Sequence, residues 1–159
     1  MTLGSIRHEI RIHRSAADVW QLAGDPTRLH EWFPGIVACQ VDGTTRVITT
    51  GAGIPMPEEL LVIDPIQRRF QYRITAPMFR FHRGTIDVID LDDGTCLVTY
   101  QTEADPRALA LTIAGGTAGA LDELRRQMDP SDVAGSANGH ADPGSNEHAH
   151  ANASSKGAV

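Results

Sequence analysis

The side chains able to do chemistry in this sequence fall at alternating positions within short segments bounded by turn residues. In residues 58–64, EELLVID, the carboxylate of Glu58 shares a face with Leu60 and Val62. Further on, Phe70, Tyr72 and Ile74 share a face, then Met78, Arg80, His82, Gly84, Ile86 and Val88, then Cys96, Val98, Tyr100 and Thr102. Near the start, Ile6, His8, Ile10 and Ile12 alternate with Arg7, Glu9, Arg11 and His13. Turned inward together, these faces would line a mainly apolar cavity with few polar groups. That pattern suits a hydrophobic small molecule oriented by one or two polar handles.

Each polar member has a chemical use and an ordinary alternative. A carboxylate in an apolar cavity must pair, hydrogen-bond or shift its pKa upward, so Glu58 is the sharpest candidate. The alternative is a register slipped by one, with Glu59 inward or both glutamates at an exposed strand start. His82 and His8 could exchange protons near neutral pH, or be satisfied structural residues. Tyr72 and Tyr100 could donate to a ligand carbonyl, or simply fill a core. Arg80 would meet an anionic group near a cavity mouth, or reach solvent. Glu58, His82 and Tyr100 together form the candidate acid–base set.

Composition narrows the function classes. The chain has 159 residues and a net charge of −6, enough for one domain with a real core and without a basic footprint for nucleic acid. No apolar run is long enough to span a membrane, and MTLGSIRHEI has no signal-peptide core. Cys39 and Cys96 belong to no CxxC pair, which suggests reduced thiols in a cytoplasmic protein. No H-E-x-x-H, P-loop or G-x-G-x-x-G opening a helix is present, so neither a metal nor a cofactor is implied.

The positioning elements follow from periodicity and punctuation. A first half-buried strand is followed by a helix capped by Ser15, with Asp18 in its first turn and Val19, Trp20, Leu22 and Ala23 behind. Asp25-Pro26 predicts a second short helix, with Asp as cap and Pro at its first position, carrying Leu29, Trp32 and Phe33 to Pro34-Gly35. Strands are predicted over 36–42, 44–50, 58–64, 68–75, 79–91 and 96–104, the last two joined by the Asp92-Asp93-Gly94-Thr95 turn. A helix starting at Asp105-Pro106 runs to about Met128, with Leu109, Ile113, Thr117, Ala120, Leu121, Leu124 and Met128 on one face. Its middle, AGGTAGA, is poor in large side chains, which implies close approach to the sheet or room left for something else. One amphipathic helix cannot fill the concavity of a strongly curved seven-stranded antiparallel sheet, so a cavity should remain. Residues 1–129 are expected to form this domain. Residues 130–159, almost free of β-branched and aromatic residues, are expected to be a disordered tail whose His140, His148 and His150 chelate metal weakly or are merely solvated.

Two stretches carry a resemblance to a known superfamily. IRIHRSAADVWQLAGDPTRLHEWFPGI resembles the opening strand, helix and Trp-x-Pro elbow of the helix-grip fold. GTTRVITTGAGIPMPEELLVID is similar to its bacterial polyketide cyclase/dehydrase-like (SRPBCC) branch and to plant abscisic-acid receptors, where a Gly-x-x-Arg strand leads through a gate loop to an E-x-L-x-x-x-D strand. START lipid-transfer domains and birch-pollen-type allergens share the fold. The resemblance spans residues 5–128 and implies an α+β helix-grip domain. It also implies that Glu58 faces the ligand pocket and that GAGIP is a gate loop, an ordinary long hairpin connection being the other reading, with TAPMFRF on the opposite lip. With Ile48, Leu60, Phe70, Met78, Ile86, Val98, Leu109, Ile113 and Thr117, the polar residues above complete the expected pocket. The implied role is carrying or sensing a lipid, polyketide or isoprenoid-like compound. Cyclase/dehydratase chemistry is the alternative, and a protein partner docking at the gate loops is left open. Trp20 and Trp32 are expected to brace the two-helix elbow, with Trp32 and Phe33 bordering a ligand entrance as the other reading.

Overall fold

The computed structural model describes residues 3–129. The expected tail, 130–159 with its three histidines, lies outside the described residues. Strand β1 (Gly4–Ile12) leads to helix α1 (Ala16–Ala23) and the single-turn α2 (Leu29–Trp32). Six strands follow: β2 (Ile36–Asp42), β3 (Thr45–Thr50), β4 (Pro55–Asp64), β5 (Arg69–Ile74), β6 (Phe81–Asp90) and β7 (Cys96–Asp105). Helix α3 (Arg107–Met128) is the last element among the described residues. The strands form one antiparallel sheet in the order β1-β7-β6-β5-β4-β3-β2, and α3 packs across β1 and β7. This is the helix-grip architecture.

Local chemistry explains most boundaries. Ser15 Oγ accepts the Asp18 N–H at 3.1 Å, capping α1 as its sequence predicts. Asp25 behaves differently from expectation. Its Oδ1 accepts both the N–H and the hydroxyl of Thr27, a side-chain turn that uses the carboxylate before any helix starts. The second helix therefore begins at Leu29, not at Pro26. In β4 a bulge interrupts the register between Leu60 and Val62. Leu60 lies opposite Tyr72, but Val62 lies opposite the outward residue Gln71, so the expected shared face of Glu58, Leu60 and Val62 breaks at Leu61.

The end of the sheet nearest α1 is filled. Phe70, Ile86 and Val98 are each at most 1 % exposed and join Ile12, Val19 and Leu124 in one apolar cluster. Burying such a side chain stabilises the fold by roughly 1.5–3 kcal/mol. Trp32 is buried too, with its ring centroid 6.3 Å from that of Tyr100. It is a core residue of the elbow, and Trp20 lies against Gly24 at the end of α1.

One contact sets the centre of the sheet. Tyr72 on β5 lies across Gly84 on β6, where an added Cβ would come within 2.3 Å of the ring. Gly84 is thus the seat that lets the Tyr72 hydroxyl reach inward. Gly84→Ala is expected to destabilise the domain by about 1–3 kcal/mol through overpacking, despite the better strand propensity of alanine. Urea unfolding checks this, and an unchanged midpoint would refute the seat.

Candidate functional site

Beyond the filled end, the sheet and α3 diverge and a cavity of about 190 Å³ remains. Ile48, Glu58, Tyr72, Ile74 and Tyr100 form its sheet wall. Leu29, Phe33 and Ile36 line it from the elbow, and Thr112, Ile113 and Gly116 from α3. Thr50 and Met56 sit at the β3–β4 end. Gly116, in the glycine-rich middle of α3, has its reason here: a Cβ on it would press to 3.2 Å from the Phe33 ring. Small residues let that ring lie between helix and cavity.

The polar end of the cavity rests on a buried ion pair. Arg46 and Glu58 face each other across β3 and β4, and Arg46 Nε donates to Glu58 Oε2 at 2.6 Å with both side chains 2 % exposed. The guanidinium carbon sits 5.1 Å from the ring centroids of both Phe70 and Tyr72, and Nη1 donates to the Pro26 carbonyl at 3.3 Å. Arg46 Nη2 is buried with no hydrogen-bond partner among the described residues. Burial raises the Glu58 carboxyl above its ordinary pKa, and the Arg46 charge offsets only part of that. Burial works against the Arg46 cation, yet Glu58, Tyr72 and Tyr100 hold its pKa above the usual value. Arg46 was not among the expected site residues. Its signal was the Gly43-x-x-Arg46 motif, one strand from Glu58.

Next to the pair, the hydroxyls of Tyr72 and Tyr100 meet at 2.7 Å. Burial raises both phenols well above their ordinary pKa, so both remain protonated at neutral pH. Two hydroxyls sharing one mutual bond leave one hydrogen over for a ligand oxygen. The cavity therefore offers an apolar volume, a carboxylate and a phenol donor. Among the described residues no cluster of three His, Cys, Asp or Glu side chains could hold a metal ion, and no helix is long and apolar enough to cross a membrane.

The sequence matches the model of the polyketide cyclase / dehydrase and lipid transport family over residues 4–129. The chain belongs to that family. No curated protein matches it. Among solved structures, this family member resembles an uncharacterised Bacillus thuringiensis protein at 24 % identity and a TM-score of 0.72, covering 79 % of this chain and 98 % of that one. Norcoclaurine synthase from Thalictrum flavum, solved with dopamine and hydroxybenzaldehyde, matches at 19 % identity and a TM-score of 0.63, covering 79 % and 86 %. A START superfamily protein from Mycobacterium smegmatis matches at 12 % identity and a TM-score of 0.63, covering 77 % and 97 %. At these identities the likenesses fix the fold alone.

Of the residues expected in the pocket of this family member, Ile48, Glu58, Tyr72, Tyr100 and Ile113 line the cavity. The others do not. Phe70, Ile86, Val98 and Thr117 face inward but are spent on core packing. His8 and Ile10 lie on the edge strand, over which α3 packs. Leu60 packs against the core cluster, and Leu109 stands half-buried a full turn before Ile113. Met78 is 57 % exposed on the β5–β6 connection. The TAPMFRF segment borders a different pocket, so it is not the opposite lip of this one. The GAGIP loop is a hydrogen-bonded turn, with the Gly53 N–H donating to Thr50 O and the Gly51 N–H to Gly35 O, each at 2.8 Å.

His82 and Arg80 need the largest corrections. Arg80 reaches outward and holds Asp105 through two bonds of 2.8 and 2.5 Å. His82 lies inside the sheet, but its Nδ1 accepts the Ile74 N–H at 3.0 Å and it is absent from the cavity wall. Burial lowers its pKa to about 4. The expected Glu58–His82–Tyr100 acid–base set is therefore not assembled around this cavity.

Two outcomes follow from these side chains. Glu58→Leu alone is expected to cost about 3–5 kcal/mol, because it strands a buried guanidinium, whereas Arg46→Met with Glu58→Leu should recover most of that loss. Denaturant midpoints read both, and a single-variant loss below about 1 kcal/mol would mark the pair as no more than a surface bridge. His82 is held neutral in the fold, so its contribution is complete above an unfolded pKa near 6.5 and is lost as pH falls toward about 4. Between those values the wild type should lose about 1.4 kcal/mol per pH unit more than His82→Asn, which retains an acceptor for Ile74. Parallel slopes in urea titrations at several pH values would disprove this.

Proposed function

We propose that this protein binds a compact hydrophobic molecule carrying one or two oxygen functions, as a carrier or sensor in the cytoplasm. One observation carries the reading: an apolar cavity whose single polar end presents Glu58 beside the Tyr72–Tyr100 hydroxyl pair. The size supports a refinement. At about 190 Å³ the space is little larger than an apolar cavity of ~150 Å³ that accepts benzene. A ring compound with a hydroxyl or carbonyl group fits it, whereas an extended lipid chain or long polyketide needs the elbow to move. Reduced Cys39 and Cys96 suit the cytoplasmic setting.

A second reading is cyclase or dehydratase chemistry on a small keto compound. It is favoured by one feature, a carboxylate of raised pKa on the same wall as two phenols. Glu58 would take a proton next to the carbonyl while a tyrosine hydroxyl donates to its oxygen. His82 has no part in it.

The test is a titration of the full chain with 2-naphthol, with oleate in parallel. At 100 times its dissociation constant, 2-naphthol should add about 2.7 kcal/mol, on the order of 10 °C in Tm for a domain of this size. Ile113→Trp, which fills the space, should abolish the shift, and Tyr100→Phe should weaken binding roughly threefold to tenfold through the lost hydrogen bond. Binding that ignores Ile113→Trp would sink the assignment, and a larger response to oleate would overturn the size argument. Product formation from a bound keto compound that disappears in Glu58→Gln, with 2-naphthol binding retained, would favour the second reading over the first.

A further inference from the structure

The sheet is split at one end. β5 and β6 pair only from Arg69↔Asp87 to Tyr72↔Gly84. Beyond that point β5 continues along β4 as far as Ile74, while β6 begins at Phe81 along β7. The bond from the Ile74 N–H to His82 Nδ1 crosses the gap where a backbone carbonyl would otherwise accept. A pocket of about 480 Å³ lies there. It is distinct from the cavity beside Tyr100, and Ile74 is the residue common to both walls.

The chemistry of this second pocket differs from that of the first. Three arginines, Arg73, Arg80 and Arg83, line it together with Leu61, Phe79 and Phe81, and no carboxylate does. In a chain of net charge −6 such a lining is a local exception. Arg73 is engaged by Glu59 and Arg80 by Asp105. Arg83 makes no ion pair among the described residues, and its guanidinium carbon lies 5.6 Å from the Phe81 ring centroid. The planar guanidinium fork matches a carboxylate or phosphate, and this one is free to do so.

His82 supplies an independent observation. Because Nδ1 accepts a backbone N–H, the ring hydrogen sits on Nε2. The residue is 4 % exposed, and Nε2 has no hydrogen-bond partner among the described residues. A buried donor of this kind calls for an acceptor. The pocket also has the volume of a small-molecule site.

We propose that the β5–β6 gap binds a small organic anion with an apolar body, its acid group held by Arg83 and an oxygen on the body accepting the Nε2–H of His82. The His82 contact requires the unpaired strand ends to part further, because Nε2 is closed to water in the free protein. A bare inorganic anion leaves the Leu61, Phe79 and Phe81 surface uncovered. A neutral apolar molecule leaves Arg83 unmatched. The proposal is independent of the function assigned to the cavity beside Tyr100.

The probe is 4-oxo-4-phenylbutanoate, which combines a carboxylate, a phenyl body and a keto oxygen, titrated into the isotope-labelled full chain at pH 7. Saturable shifts are expected at Leu61, Thr75 and His82 Nε2. Butyrophenone, lacking the acid, and succinate, lacking the body, should bind about tenfold more weakly or worse, and Arg83→Gln should weaken the probe by a similar factor. 4-Phenylbutanoate, lacking the keto oxygen, should bind about fivefold more weakly to the wild type and equally well to His82→Asn. Ile113→Trp should leave the probe affinity unchanged. The proposal is overturned by the absence of saturable shifts, by shifts confined to Ile48 and Ile113, by equal affinity for succinate, or by indifference to Arg83→Gln. Equal wild-type affinity for the oxo and deoxo acids would overturn the role given to His82, and the proposal with it.

Discussion

The rest of the structure is arranged around one requirement, that a buried charge must have company. Arg46 and Glu58 sit directly opposite on neighbouring strands, almost without solvent, and each offsets part of the cost of burying the other. The guanidinium also lies against the rings of Phe70 and Tyr72 and donates to the Pro26 carbonyl. One side chain therefore ties together β3, β4, β5 and the loop that opens the elbow. The pair also sets the character of the cavity. A carboxylate anchored at one oxygen stays fixed while the tyrosine hydroxyls beside it meet each other, so the polar end is organised before any ligand arrives.

Around that pair the sheet divides into a packed region and an open one. Where α1 and the end of α3 cover it, Phe70, Ile86, Val98 and Leu124 fill the interior. Where α3 turns small, at Gly115-Gly116, the cavity lies between the sheet, Phe33 of the elbow and Ile113 of the helix. Tyr72 belongs to both regions. It can lie flat across Gly84 because that residue has no side chain, and its ring then walls the cavity. On the far side of Tyr72 the strands part, and His82 stands in for the missing backbone partner. The pairing of β5 with β6 thus ends at the aromatic ring seated on that glycine.

Much of this was legible in the order of the residues. Alternation in β1, β5 and β7 identified the inward faces, because the side-chain period of a strand is two and one face meets a core. Ser15, Gly43 and the Asp92–Gly94 turn marked boundaries through chemistry that acts over three or four residues. Glu58 was conspicuous because a carboxylate amid apolar neighbours has few acceptable fates. The failures have equally physical causes. Asp25 could cap a helix or make a turn, and Thr27 decided by offering two donors. The bulge at Leu61 reversed the face of Val62, and alternation alone carries no sign of an extra residue. Phe70 and Tyr72 have the same parity, yet one fills a core and the other walls a cavity.

The sequence by itself determined the element order and the polar residues available inside, since these depend on local propensity and periodicity, while the helix-grip class was implied by its resemblance to a known superfamily. Tertiary structure decided which of those residues share a space. Glu58 and Tyr100 came together and His82 did not, because where α3 diverges from the sheet and where β5 leaves β6 are set by packing between distant segments. Arg46 illustrates the division. Its motif was visible at Gly43-x-x-Arg46, but its pairing with Glu58 is a matter of strand register, and register is fixed only when both strands join the same sheet.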